Sequence, residues 1–134
     1  MNTVQPIRDL GKVNDIYDYL SSQNKRNGLL FAFGIYTGLR ISDILCIKVR
    51  QVRNQKYLSI RERKTGKEKN IRLNQFLKEK IDEYIADMKN YEYLFYGEKK
   101  TKPMTRQQAY NILSKAAEKF GVGAVGTHTL RKTF

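Results

Sequence analysis

The sequence predicts an α+β fold, mainly α: one helical domain carrying a small three-stranded antiparallel sheet. Three observations predict it. Apolar residues recur at helical spacing on both sides of the chain's middle, the pattern changes to period two only between Val49 and Leu73, and 134 residues suffice for one modest core. No internal repeat, low-complexity tract or linker divides the chain, so residues 1–134 read as a single domain.

Asp9 is placed to cap a first helix whose apolar positions are Leu10, Val13, Ile16, Tyr17 and Leu20. Ser21 to Asn27 reads as a polar, basic connection. Gly28 to Tyr36 is apolar on nearly every side, the pattern of a helix buried all round. Thr37 and Gly38 interrupt it, and beyond Arg40 the residues Ile41, Ile44 and Leu45 resume helical spacing. Arg40 therefore stands at a tight junction between a buried helix and a short one. Taken alone, it is an arginine that pairs with Asp43, three positions on.

Between Val49 and Leu73, Leu58 and Ile60 alternate with polar neighbours, Asn54-Gln55 suits one turn, and Lys64-Thr65-Gly66-Lys67 suits another. The expected product is the three-stranded meander, with Gly66 supplying a positive φ. Asn74 then caps a helix with the stripe Leu77, Ile81, Tyr84, Ile85 and Met88. The aromatic stretch Tyr91 to Tyr96 is read as buried packing rather than a base-stacking platform. Thr105 and Gln108 form a capping box for a last long helix, with Ala109, Ile112, Leu113, Ala116, Ala117 and Phe120 on one face and Gly121 ending it. After a glycine-rich connection, Thr127 would cap a helix carrying His128 and Arg131 on one face.

Composition narrows the function. The chain has 26 Lys plus Arg against 13 Asp plus Glu, a net +13 that calls for a polyanionic partner. Lys48 to Arg72 alone holds ten basic and two acidic residues, so the excess is concentrated on the small sheet, as suits a surface that tracks phosphates. The longest apolar stretch, Leu29 to Tyr36, is too short to span a bilayer, so no membrane partner is expected. A single Cys and a single His argue against a metal site and a disulfide, and favour a reducing, cytoplasmic setting.

Arg40, a lysine in a basic hairpin, and a His with an Arg one turn away form a set suited to a phosphodiester. Arginine offers a planar, permanently charged fork for nonbridging oxygens. A lysine is protonated at neutral pH and can give a proton to a leaving alkoxide.

Three motifs carry a resemblance to a known family: TGLRISDIL around Arg40, RERKTGKEKNIRL around Lys64, and HTLRKTF around His128 and Arg131. In their order and separation they resemble the catalytic domain of tyrosine recombinases, the phage integrases. The resemblance implies that Arg40 and Arg131 clamp the scissile phosphate, that His128 contacts it, and that Lys64 is the general acid. Lys67 is the nearest rival to Lys64. Asp43 matches an acidic position that orients the site. Lys48, Arg61, Arg63, Lys67, Lys69 and Arg106 are the expected DNA contacts, and the implied partner is double-stranded DNA, with no metal or nucleotide cofactor.

The family pattern adds a further His or Trp and a tyrosine nucleophile downstream of the His-x-x-Arg box, where this chain has Lys132, Thr133 and Phe134. Tyr110 is the last of the nine tyrosines. The expectation is therefore a catalytic-domain fragment without its nucleophile helices and without the preceding DNA-clamping domain. It would bind DNA without cleaving it, with a face around Leu130 and Phe134 open to self-association. The parent is expected to work as a tetramer on DNA, at the nucleoid of a bacterium or on a phage or other mobile element. A winged-helix-like DNA-binding module, with the hairpin as wing and the Thr105 helix in the groove, is the alternative.

Overall fold

The computed structural model describes residues 10–121. The expectations on Asp9, Thr127, His128, Leu130, Arg131 and Phe134 lie outside that range.

Helix α1 (Leu10–Gln23) runs almost directly into α2 (Lys25–Thr37). Asn24 separates them: its backbone is extended, its Oδ1 accepts the Arg26 N–H at 2.9 Å, and its own N–H donates to Leu20 O at 2.8 Å. The connection expected over 21–27 is thus a single residue, and the polar character there marks exposed helix ends. Val13, Ile16 and Leu20 of α1 are buried against the rest of the core. In α2, every residue from Gly28 to Ile35 is buried, as a helix apolar on all sides requires.

The helix capped by Asn74, like α1, packs on α2. Asn74 caps α4 (Gln75–Ile85) by accepting the Leu77 N–H at 2.8 Å, and Leu77, Ile81 and Ile85 turn inward. Helix α5 (Arg106–Lys119) packs on α1 and on the short α3 (Ile41–Ile44). Thr105 Oγ1 accepts the Gln108 N–H at 3.1 Å, and Gly121 beyond the helix has φ +69°. Only the Thr105 half of the expected box forms among the described residues; beside it, Gln107 donates to Asn111 at 3.0 Å. Of the aromatic stretch, Phe95 meets Phe33 edge-on with centroids 5.7 Å apart, whereas Tyr91 is exposed.

The described sheet has two strands rather than three. Strands β1 (Tyr57–Arg61) and β2 (Glu68–Arg72) pair antiparallel, with Leu58 opposite Ile71 and Arg61 opposite Glu68. Where the first strand was expected, Val49–Gln51 forms a 3-10 turn. The reason is legible afterwards: Val49 and Val52 are both buried, and a three-residue separation fits a helical turn rather than alternation. The backbone there bonds elsewhere, with Val49 N–H on Glu92 O and Leu94 N–H on Ile47 O, both at 2.9 Å.

Candidate functional site

Arg40 owes its position to the way α2 ends. Thr37 Oγ1 donates to Phe33 O at 2.6 Å and accepts the Leu39 N–H at 3.2 Å, while Gly38 takes φ +68° and donates to Gly34 O at 3.2 Å. A left-handed residue stops the helix, and glycine adopts it without strain. The chain then turns through the buried Leu39, and the Arg40 carbonyl accepts the N–H groups of Asp43 and Ile44, both at 3.0 Å, to start α3. Arg40 is thereby the N-cap residue of α3, at a junction between two buried segments.

The guanidinium does not pair with Asp43. Its Nη1 lies 3.6 Å from Glu62 Oε2, at the base of the hairpin loop, and that same Nη1 is buried with no hydrogen-bond partner among the described residues. Asp43 faces the hairpin too, but through the backbone: its Oδ1 accepts the Arg63 N–H at 3.0 Å. Two carboxylates, one on each side, therefore join the α2–α3 junction to the hairpin.

Glu62 is the partner of Arg40 that local spacing in the sequence did not point to. Its side chain is 6% exposed, Lys69 Nζ stands 3.4 Å from Oε2, and Thr65 Oγ1 donates to Oε1 at 3.1 Å. Burial pushes the carboxyl pKa up, but the hydrogen bonds from Thr65 and Lys69 and the charges of Lys69 and Arg40 outweigh it and hold the group below its ordinary value. A signal for it existed. Strand alternation puts residues 58, 60 and 62 on one face, so Glu62 continues the inward face of Leu58 and Ile60.

The loop between the strands is held by its own bonds. Gly66 N–H donates to Glu62 O and Glu62 N–H to Lys67 O, both at 2.8 Å, with Gly66 at φ +70° as expected. Lys67 N–H adds a bond to Thr65 Oγ1 at 3.2 Å. Lys64 projects from this loop exposed, with no partner among the described residues.

The basic residues expected around the site fall into distinct groups. Lys67 is exposed, and Lys69 is shared with Glu62. Arg61 is spent on the hairpin itself, with Nη2 on Glu68 Oε1 and Nη1 on Gly66 O, both at 2.7 Å. Arg63 reaches Cys46 Sγ at 3.5 Å, and Lys48 Nζ lies over the Tyr93 ring. Arg106 is exposed at the start of α5 and makes no polar contact with the Arg40 group among the described residues. No group of His, Cys, Asp and Glu there could hold a metal ion, and no helix there is long and apolar enough to cross a membrane.

The sequence profile of the phage integrase family matches residues 9–134. The chain belongs to the phage integrase family. Its full length is also 49% identical to the probable integrase/recombinase YoeC of Bacillus subtilis (strain 168), of which it covers 74%. The fold of this integrase chain is that of solved tyrosine recombinases. It is similar to XerA recombinase, with a TM-score of 0.78 at 17% identity over 98% of this chain, and to lambda integrase bound to DNA, with a TM-score of 0.73 at 17% identity over 99%. In both cases it spans 50% of the solved chain, so it corresponds to about half of each. The family assignment leaves no place for the winged-helix alternative.

Proposed function

We propose that this chain forms the phosphate-binding part of a recombinase catalytic domain that breaks and rejoins double-stranded DNA by transesterification. The observation that carries the reading is the state of Arg40. Its buried Nη1 faces Glu62 while about a quarter of the side chain stays exposed, at the base of the loop bearing Lys64 and amid a strongly cationic segment. A guanidinium backed by a carboxylate on one side and exposed on the other suits a nonbridging phosphate oxygen.

In this reading Arg40 and Arg131 neutralise the charge that builds on the phosphate as it becomes pentacovalent. His128 contacts the same phosphate, and the roles of His128 and Arg131 rest on the HTLR motif. A tyrosine oxygen, supplied by a segment of the intact enzyme outside this sequence, bonds to phosphorus as the bond to the 5′ oxygen breaks. The phenol gives up its proton and Lys64 donates one to the leaving 5′ oxygen. The 3′-phosphotyrosine link is then reversed by a 5′-hydroxyl from another strand. Asp43 acts on the site through the Arg63 backbone, and Lys48, Arg63, Lys67, Lys69 and Arg106 are proposed backbone-phosphate contacts. Assembly as a tetramer on DNA, in the cytoplasm, belongs to the same proposal.

Trapping the covalent adduct on a nicked duplex by the intact recombinase tests the reading. Arg40→Ala should slow adduct formation by about 10²–10³. An unchanged rate, or a reading frame with no tyrosine after Phe134, would overturn it.

A further inference from the structure

We propose that Glu62 is a positioning residue of the phosphate site, holding Arg40 and the Lys64-bearing loop in one fixed relation. The inference rests on the recombinase reading and concerns how its two central cations are set.

The geometry points to this role in three ways. First, Glu62 touches both halves of the site: Oε2 faces Arg40 Nη1 at 3.6 Å and Oε1 accepts from Thr65 at 3.1 Å, next to Lys64. Secondly, the separation from Arg40 is that of an ion pair without a hydrogen bond. The carboxylate orients the guanidinium by charge through the buried Nη1 and leaves the exposed quarter of the side chain for a ligand. Thirdly, the same Oε2 lies 3.4 Å from Lys69 Nζ, so one buried carboxylate serves as counter-ion to two cations. A phosphate approaching Arg40 meets an arginine already oriented but partly neutralised.

A buried acid beside a phosphate site is otherwise a liability, since its charge repels the ligand. Its presence in a segment of ten basic and two acidic residues fits a gain in orientation that outweighs the repulsion. Orientation matters because a displaced charge loses much of its effect on a transition state.

Glu62→Gln separates charge from shape. The amide keeps an oxygen for Thr65 and the volume of the site, but releases Arg40 and Lys69 from their counter-ion. Duplex binding by this chain, followed by fluorescence anisotropy across a salt series, should show a dependence of log K on log salt steeper by about one, because a cation formerly neutralised internally now displaces a DNA counterion. In the intact recombinase, single-turnover cleavage by E62Q at saturating DNA should fall by about 10–100-fold, the usual effect of losing a residue that orients an active group. Thr65→Val provides a second arm. It removes the bond that ties the loop to Glu62, so cleavage should fall while the salt dependence stays that of the parent chain.

Unchanged salt dependence and cleavage in E62Q, with R40A impaired, would overturn the positioning role and leave the recombinase reading standing. Full cleavage by R40A would overturn that reading itself. If E62Q does not fold, T65V decides: normal cleavage by T65V refutes the role, and slowed cleavage with parental salt dependence supports it.

Discussion

The Asp43 carboxylate accepts the backbone N–H of Arg63 at 3.0 Å, so the short helix after Arg40 grips the hairpin by its main chain rather than by a side chain. The donor is a main-chain group, so any residue but proline at position 63 can supply it. Asp43→Ala leaves a donor without its acceptor and should cost about 1–3 kcal/mol in urea denaturation. Asp43→Asn keeps an oxygen acceptor and should cost less. Amide exchange at Arg63 and Lys64 should accelerate in the alanine variant.

Glu62 gives the fold an acid-sensitive contact. Its carboxyl is depressed below 4.5 in the folded chain, so the unfolded state takes up the proton first as pH falls. The resulting stability is present above pH 4.5 and is lost as pH drops through the folded value. Comparing chemical denaturation at neutral pH and at pH 4 and below, the parent chain should lose more stability than E62Q does.

Tyr84 sets the opposite limb. Its hydroxyl donates to Leu94 O at 2.8 Å and burial pushes its pKa far up, so the folded chain keeps the phenol neutral where the unfolded chain ionises it. That contribution is complete below pH 10 and fades as pH rises beyond it. Tyr84→Phe should cost about 1 kcal/mol at neutral pH by urea denaturation. It should also flatten the decline of stability above pH 10.

At Gly28 the backbone of α2 comes close against Ser21 of α1. A Cβ there would collide with Ser21 Oγ and come within 3.0 Å of the Ser21 Cα, a backbone atom that cannot swing aside. Gly28→Ala should therefore destabilise the chain by about 1–3 kcal/mol despite alanine's better helix propensity. Thermal unfolding reads this directly, and Ser21→Ala in the same chain should recover part of the loss.

The basic residues of the hairpin should not behave alike on DNA. Lys67 is exposed, whereas Arg61 is occupied by Glu68 and Gly66 O. Lys67→Ala should lower the salt dependence of duplex binding by about one. Arg61→Ala should change it less and should loosen the hairpin, visible as faster amide exchange in β1 and β2.

What the sequence disclosed follows from the range of each interaction. Helices α2, α4 and α5 were legible because periodicity and capping are local, and Asn74, Thr105 and Gly121 perform the capping and stopping roles their types suggest. The end of α1 was not, since Ser21 to Asn27 is polar whether it is a loop or two exposed helix ends. The missing third strand reflects Val49 and Val52, whose spacing allows two readings until Glu92 and Leu94 supply backbone partners more than forty residues away. At the site, the motifs marked Arg40 and Lys64, but local spacing offered Asp43 as the arginine's partner. The actual partner, Glu62, is distant in sequence and becomes adjacent only once the hairpin folds back on the junction.

The fully walled helix α2 has a consequence for how this chain tolerates change. Because Gly28 through Ile35 are all buried, α2 can neither slide nor rotate, and Gly38 ends it two residues before Arg40. Inserting or deleting one residue would swing the arginine around the axis by about 100° and shift it by about 1.5 Å. The helix thus behaves as a gauge block: its length measures out where the arginine lands. Substitutions along it will be judged by packing, but changes of length will be judged by a site at its far end.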